Sequence, residues 1–207
     1  MTLIIGYSGR ARSGKSESCE AIRNFTCQEY WNSARRSTSC DSYALSVPIQ
    51  RRRTAVVYDI GNLIRLWCIK NGRLPQIERR DMTREQLQIL IDVGKERRAD
   101  DPNFWLDLMF TSIAFDAPDV ALIPNLRYEN EAAAVKAQNG FVVRMTRLNA
   151  NGSEYISPDR DPNDISETSL QFWPADFYFT VKDGHVDLVR KQAVALYLYL
   201  SECGRYA

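Results

Sequence analysis

Histidine is nearly absent from this chain: one residue in 207, His185. Lysine is scarce as well, with six residues against 21 arginines. The five cysteines (Cys19, Cys27, Cys40, Cys68 and Cys203) are scattered and form no Cys-x-x-Cys pair. That spacing excludes a zinc ribbon and argues against a disulfide scaffold. With a single histidine there is no Cys/His set at metal-ligand spacing, and His185, at a predicted helix start, reads as a structural or surface residue. No run of eighteen apolar residues exists, so no segment has the length of a membrane span. The opening MTLIIGYSG lacks a basic lead-in and its apolar run is short for a secretion signal. The expectation is a cytoplasmic protein with reduced thiols.

What is present is ordinary in amount and unusual in distribution. A hydrophobic fraction of 44% and a charged fraction of 26% match a globular domain. The net charge is +1, but residues 1–98 carry a balance of +8 and residues 99–207 one of −7. Guanidinium groups grip phosphate with a planar fork, so an arginine-rich front half points to a phosphorylated ligand, or else to a solvated surface.

Periodicity predicts strands at TLIIGY (2–7), DSYALSV (41–47), DVALIPNL (119–126), FVVRMTR (141–147) and DFYFTV (176–181). It predicts helices from Ser16 to about Tyr30, from Pro48 to about Lys70, after Thr83, after Asp101-Pro102, over 128–140 and over 185–200. Residues 32–40 read as a loop. Residues 148–168, rich in Asn, Asp, Ser, Pro and Gly, read as an excursion from the core. Strands alternating with helices predict an α/β fold, with a parallel sheet of about five strands, helices on both faces and a small lid. The length suits a single domain over 1–207, with the lid at about 148–168.

The sharpest signal is GRARSGKS, Gly9 to Ser16, which matches G-x-x-x-x-G-K-[ST] between an apolar strand and a helix start. In such a loop the backbone N–H groups turn inward toward phosphate oxygens beside the positive end of the helix. Gly9, Arg10, Ala11, Arg12, Ser13, Gly14, Lys15 and Ser16 are therefore the expected ATP-binding residues. Lys15 is expected to reach the β- and γ-phosphates, and the Ser16 hydroxyl to ligate Mg²⁺.

Several stretches, in order along the chain, resemble the bacteriophage deoxynucleoside monophosphate kinases and their P-loop kinase relatives, including the hydroxymethyluracil DNA kinases of hypermodified phages. They are SGRARSGKSES; VGKERRADDPNFW, with Gly94, Arg98, Asp101, Pro102 and Trp105; LIPNLRYENEAAAVKAQNGFVVRMTR; and DISETSL followed by ADFYFTVKDG. The resemblance implies a P-loop kinase that uses ATP and Mg²⁺, with a base-recognising acceptor site. It marks Arg127, Arg144 and Arg147 as catalytic arginines alongside Lys15. It marks Tyr43, Arg51, Arg52, Arg98, Asp101 and Trp105 as acceptor-binding, Trp105 being either a core anchor or a pocket wall. It also implies host cytoplasm as the location if the chain is of phage origin.

Two departures stand out. Asn125 occupies the place where relatives often carry the Asp of Asp-x-Arg, so Mg²⁺ would rest on Ser16 and the phosphates alone, or on another acid such as Asp41. The triplet Arg51-Arg52-Arg53 is more basic than one phosphate monoester needs. Three readings follow: a kinase for free deoxynucleoside monophosphates, a kinase for 5-hydroxymethyluracil within DNA, and a non-catalytic nucleotide-binding module.

Overall fold

Parallel strands need crossover connections, and helices supply them. The computed structural model describes residues 2–37, 54–158 and 161–203. Its strands are β1 (Leu3–Ser8), β2 (Ala55–Val57), β3 (Val120–Leu126), β4 (Phe141–Leu148) and β5 (Phe177–Lys182). They lie in the order β2-β3-β1-β4-β5, and every pairing is parallel. The α-helices are α1 (Lys15–Ser37), α2 (Ile60–Lys70), α3 (Arg84–Asp100), α4 (Phe104–Asp116), α5 (Glu129–Ala137), α6 (Ile165–Thr168) and α7 (Val186–Cys203). The α/β fold expected from the sequence is the one observed.

Alternation along the central strands feeds two separate cores. Ile5, Tyr7, Leu122 and Val143 join Ile22 of α1 with Val189 and Tyr197 of α7 on one face. Ile4, Ala121, Ile123 and Val142 join Ile64, Val93, Trp105, Met109 and Val135 on the other. Strands covered on both faces read as unbroken apolar runs, which is why LIIGY and VALI were conspicuous. Local signals close the helices: Thr83 and Gln86 form a reciprocal capping box on α3, and Ala117, at φ 43°, turns the chain out of α4.

The structure corrects two boundaries. The helix expected from Pro48 to Lys70 is interrupted, because residues 55–57 form β2 and Asp59 caps a helix that begins only at Ile60. Val56 happened to fall in register with Ile60, Leu63 and Trp67, yet it is a strand residue beside Ala121. The polar stretch read as a loop from Asn32 is helical through Ser37. The expected strand at 41–47 lies outside the described residues, as do Cys40, Asp41, Tyr43, Pro48 and Arg51–Arg53. Among the described residues, no helix is long and apolar enough to cross a membrane.

In open parallel sheets, ligands bind beyond the carboxyl ends of the strands. Gly9 follows β1, Asp59 follows β2, Asn125 and Leu126 end β3 with Arg127 just beyond, and the excursion follows β4. All four segments therefore lie at the same edge of the sheet.

Candidate functional site

The glycine-rich turn uses backbone conformations that side chains resist. Gly9 has φ 129°, Arg12 φ 62° and Gly14 φ 98° within six residues. These turns wrap the chain around one ammonium group. Lys15 Nζ donates to the Gly9 carbonyl at 2.8 Å, the Arg10 carbonyl at 2.6 Å and Ser13 Oγ at 3.2 Å. Lys15 is buried although it opens α1, whereas Ser16 beside it is exposed. The first-turn amides of an α-helix have no intrahelical acceptor, so an exposed helix start behind a curled loop favours an anion.

Facing the loop is a cleft lined by Gly9, Leu126, Arg127, Arg144, Ser166, Glu167, Leu170 and Gln171. Arg127 donates to Glu167 Oε1 at 2.8 Å and to the Ser166 carbonyl at 3.3 Å. Arg144 donates to the Leu170 carbonyl. The other Glu167 oxygen accepts the Ala11 N–H of the glycine-rich turn at 2.7 Å. Burial pushes the Glu167 carboxyl up, but the Ala11 N–H and the Arg127 guanidinium outweigh it and hold the group below its ordinary range.

Arg147 sits apart from this cluster. It pairs with Asp183 at 2.6 Å, donates to the Arg12 carbonyl at 3.2 Å and stacks on Tyr155, with its guanidinium 3.9 Å from the ring centroid. Of the three expected arginines, two face the cleft and the third braces the outside of the loop. The excursion rests on the same loop: Arg10 donates to the Pro162 carbonyl at 3.1 Å and pairs with Glu154 at 3.4 Å.

A buried carboxylate ties the cleft to the expected acceptor side. Glu131 is 2% exposed, accepts the Arg127 N–H at 2.7 Å and pairs with Arg98 at 3.3 Å. Burial pushes its carboxyl up, opposed by the Arg127 N–H and the Arg98 charge. Arg98 also lies over the Tyr128 ring, 4.9 Å from its centroid. Asp101 is exposed and accepts the Asn103 N–H at 2.9 Å, ordering the turn into α4. Trp105 is 1% exposed, donates to the Gly94 carbonyl at 3.3 Å and meets Phe104 and Trp67 edge-on. Of its two readings, the packing matches the core anchor; a pocket wall would need an exposed face.

Glu131→Ala is expected to cost about 2–3 kcal/mol of stability, because the Arg127 amide and the Arg98 guanidinium lose a buried acceptor. Urea unfolding of the variant checks this, and an unchanged midpoint would remove Glu131 from the framework of the site.

Asn125 Nδ2 donates to Asp59 Oδ2 at 3.4 Å, and Asp59 Oδ1 accepts the Gly61 N–H at 2.7 Å as the cap of α2. A carboxylate thus lies beside Asn125, brought there by the turn between β2 and α2. Sequence reasoning passed over Asp59 because it lay inside an expected helix. The only available signal was an Asp two residues after a β-branched pair and before Gly61. It also missed Glu167, whose partners are remote in sequence, and Glu131, which accepts the nearby Arg127 and Tyr128 N–H groups but pairs with the remote Arg98. Among the described residues, no three His, Cys, Asp or Glu side chains cluster to hold a metal ion. A hard cation here would draw on Ser16, on the Asp59–Asn125 pair and on ligand phosphates.

His185 is exposed at the start of α7, as expected. Tyr197 is fully buried and Tyr199 is 56% exposed, so only the first is a core residue; the second stacks its edge on Phe177. No family model matches the chain, and comparison with curated proteins likewise finds no match.

Proposed function

We propose that the chain is an ATP-dependent phosphotransferase whose acceptor is a free deoxynucleoside monophosphate. One observation carries the reading: a G-x-x-x-x-G-K-S turn curls around Lys15 at the start of α1, and its Gly9 lines a cleft together with Arg127 and Arg144. Phosphoryl transfer asks chiefly for positioning and charge neutralisation, and these groups supply both. The α1 amides and Lys15 hold the donor phosphates, the lysine exchanging the Gly9 and Arg10 carbonyls for phosphate oxygens. Arg127 and Arg144 neutralise charge that builds on the transferred group, where fixed donors act most strongly. Glu131 holds the Arg127 backbone and Arg98 in register with one another. Mg²⁺, when bound, offsets phosphate charge, with the Ser16 hydroxyl and Asp59 as its candidate protein ligands. The order of motifs that resemble the phage deoxynucleoside monophosphate kinases supports the same reading.

A polymer acceptor is the second reading, hydroxymethyluracil within DNA. It is favoured by the arginine surplus of the front half and by Phe172, 91% exposed and adjacent to the cleft residue Gln171. An exposed ring at that rim suits stacking on a base taken out of the duplex. The test is to incubate the protein with labelled ATP and each free deoxynucleotide, and separately with hydroxymethyluracil-containing DNA. Label in a free monophosphate supports the first reading, and label in DNA the second. Nucleotide binding with no labelled acceptor leaves a non-catalytic module.

Asn125→Asp sets a second carboxylate against Asp59. Like charges this close disfavour one another, so the variant is expected to melt several degrees lower without Mg²⁺. Because carboxylates bind the hard cation better than amides, it is also expected to need less Mg²⁺ for half-maximal rate. An unchanged Mg²⁺ titration would place the metal elsewhere.

A further inference from the structure

Glu167 is a carboxylate lodged among anion-binding groups. Its side chain is 3% exposed, with one oxygen on a backbone N–H of the glycine-rich turn and the other on Arg127. These are the two kinds of donor that a phosphoryl group recruits. Around it, the segment from Ser166 to Leu170 engages both arginines through its backbone: the Ser166 carbonyl takes Arg127 Nη1 and the Leu170 carbonyl takes Arg144 Nη1. Lys15 contributes an attractive charge to the same carboxylate.

We propose that Glu167 is an internal occupant of the phosphate cleft, displaced when an anionic ligand binds. The proposal rests on the phosphate-loop reading above and adds a regulatory device to it: without ligand, the site is closed by its own chain. The element that must move is built for it. α6 has four residues, is capped by Asp164 through the Ser166 N–H at 2.8 Å, and leaves Ile165 65% exposed. Only Leu170, at 7% exposure, anchors the segment in the core. Elements with few buried apolar contacts open at low cost. Displacement also frees the Arg127 guanidinium, so opening of the segment and arming of the arginine are one event.

The test uses the full chain and magnesium tripolyphosphate, which carries the phosphates without base or sugar. Calorimetric titration is expected to show Glu167→Gln binding about tenfold more tightly than wild type, the gain expected when a site closed nine-tenths of the time is released. Lys15→Ala in parallel reports on the phosphate loop itself. Hydrogen exchange of the wild-type protein needs no variant: exchange across residues 164–172 is expected to quicken when tripolyphosphate is added. Wild-type binding that Glu167→Gln leaves unchanged or weakens, or exchange that slows or stays constant, overturns the proposal while the phosphate-loop reading stands. No binding by wild type or by Glu167→Gln overturns both.

Discussion

Lys15→Ala is expected to lower phosphoryl transfer by about 100- to 1,000-fold, the usual loss when one donor to transition-state charge is removed. The ammonium is unusually well placed for the task, since the loop already holds it between two carbonyls at 2.8 and 2.6 Å. Those bonds give the substitution a second effect. Removing them, with the Ser13 contact, loosens the loop at a net cost of about 1 kcal/mol per hydrogen bond at most, because water reaches the vacated carbonyls. The variant should therefore fold, melt a few degrees lower and turn over very little labelled ATP. Near-wild-type turnover by a folded Lys15→Ala protein would sink the assignment of the loop.

Gly9→Ala should produce the largest stability loss. At φ 129° an L-residue is strained, and a methyl group there would overlap the Met145 carbonyl oxygen of β4. The Ser13 hydroxyl lies 3.2 Å from the same position, so neither side offers room. Relief requires β1 and β4 to separate where Ser8 pairs with Arg144, which also shifts an arginine of the cleft. Strain and overlap together are expected to cost about 3–5 kcal/mol, the range that marks a named steric fault. Chemical unfolding measures the loss, and tripolyphosphate titration should show binding gone as well. A fall of less than about 1 kcal/mol would mean that the turn relaxes freely.

Local signals in the sequence account for most of the elements. Thr83 with Gln86, and Asn139-Gly140 after α5, are start and stop signals that act within a few residues, so their positions were readable directly. The glycine-rich turn was readable for the same reason: its conformation depends on glycines and a helix start that are adjacent in the chain. The span before α2 misled because Ala55 to Val57 favour a strand only over three residues, while Val56 also fits the helical spacing of Ile60, Leu63 and Trp67. Ala55 to Val57 become a strand by pairing with Val120 to Leu122, 65 residues away.

The sequence by itself determined the α/β alternation, the loop around Lys15 and the arginine-rich character of its surroundings, all of which follow from short-range pattern and composition. Which arginines meet was decided only by the tertiary structure. Arg127 and Arg144 share a cleft, and Arg147 is turned outward to Asp183, because neighbouring parallel strands and the alternation of side chains along β4 set their directions. The acids were decided there too. Asp59 meets Asn125, Glu131 meets Arg98, and Glu167 meets Ala11 and Arg127 across separations of 66, 33, 156 and 40 residues. A carboxylate's role depends on which positive group or N–H the fold brings within hydrogen-bond reach, and no local pattern in the chain encodes a partner so distant.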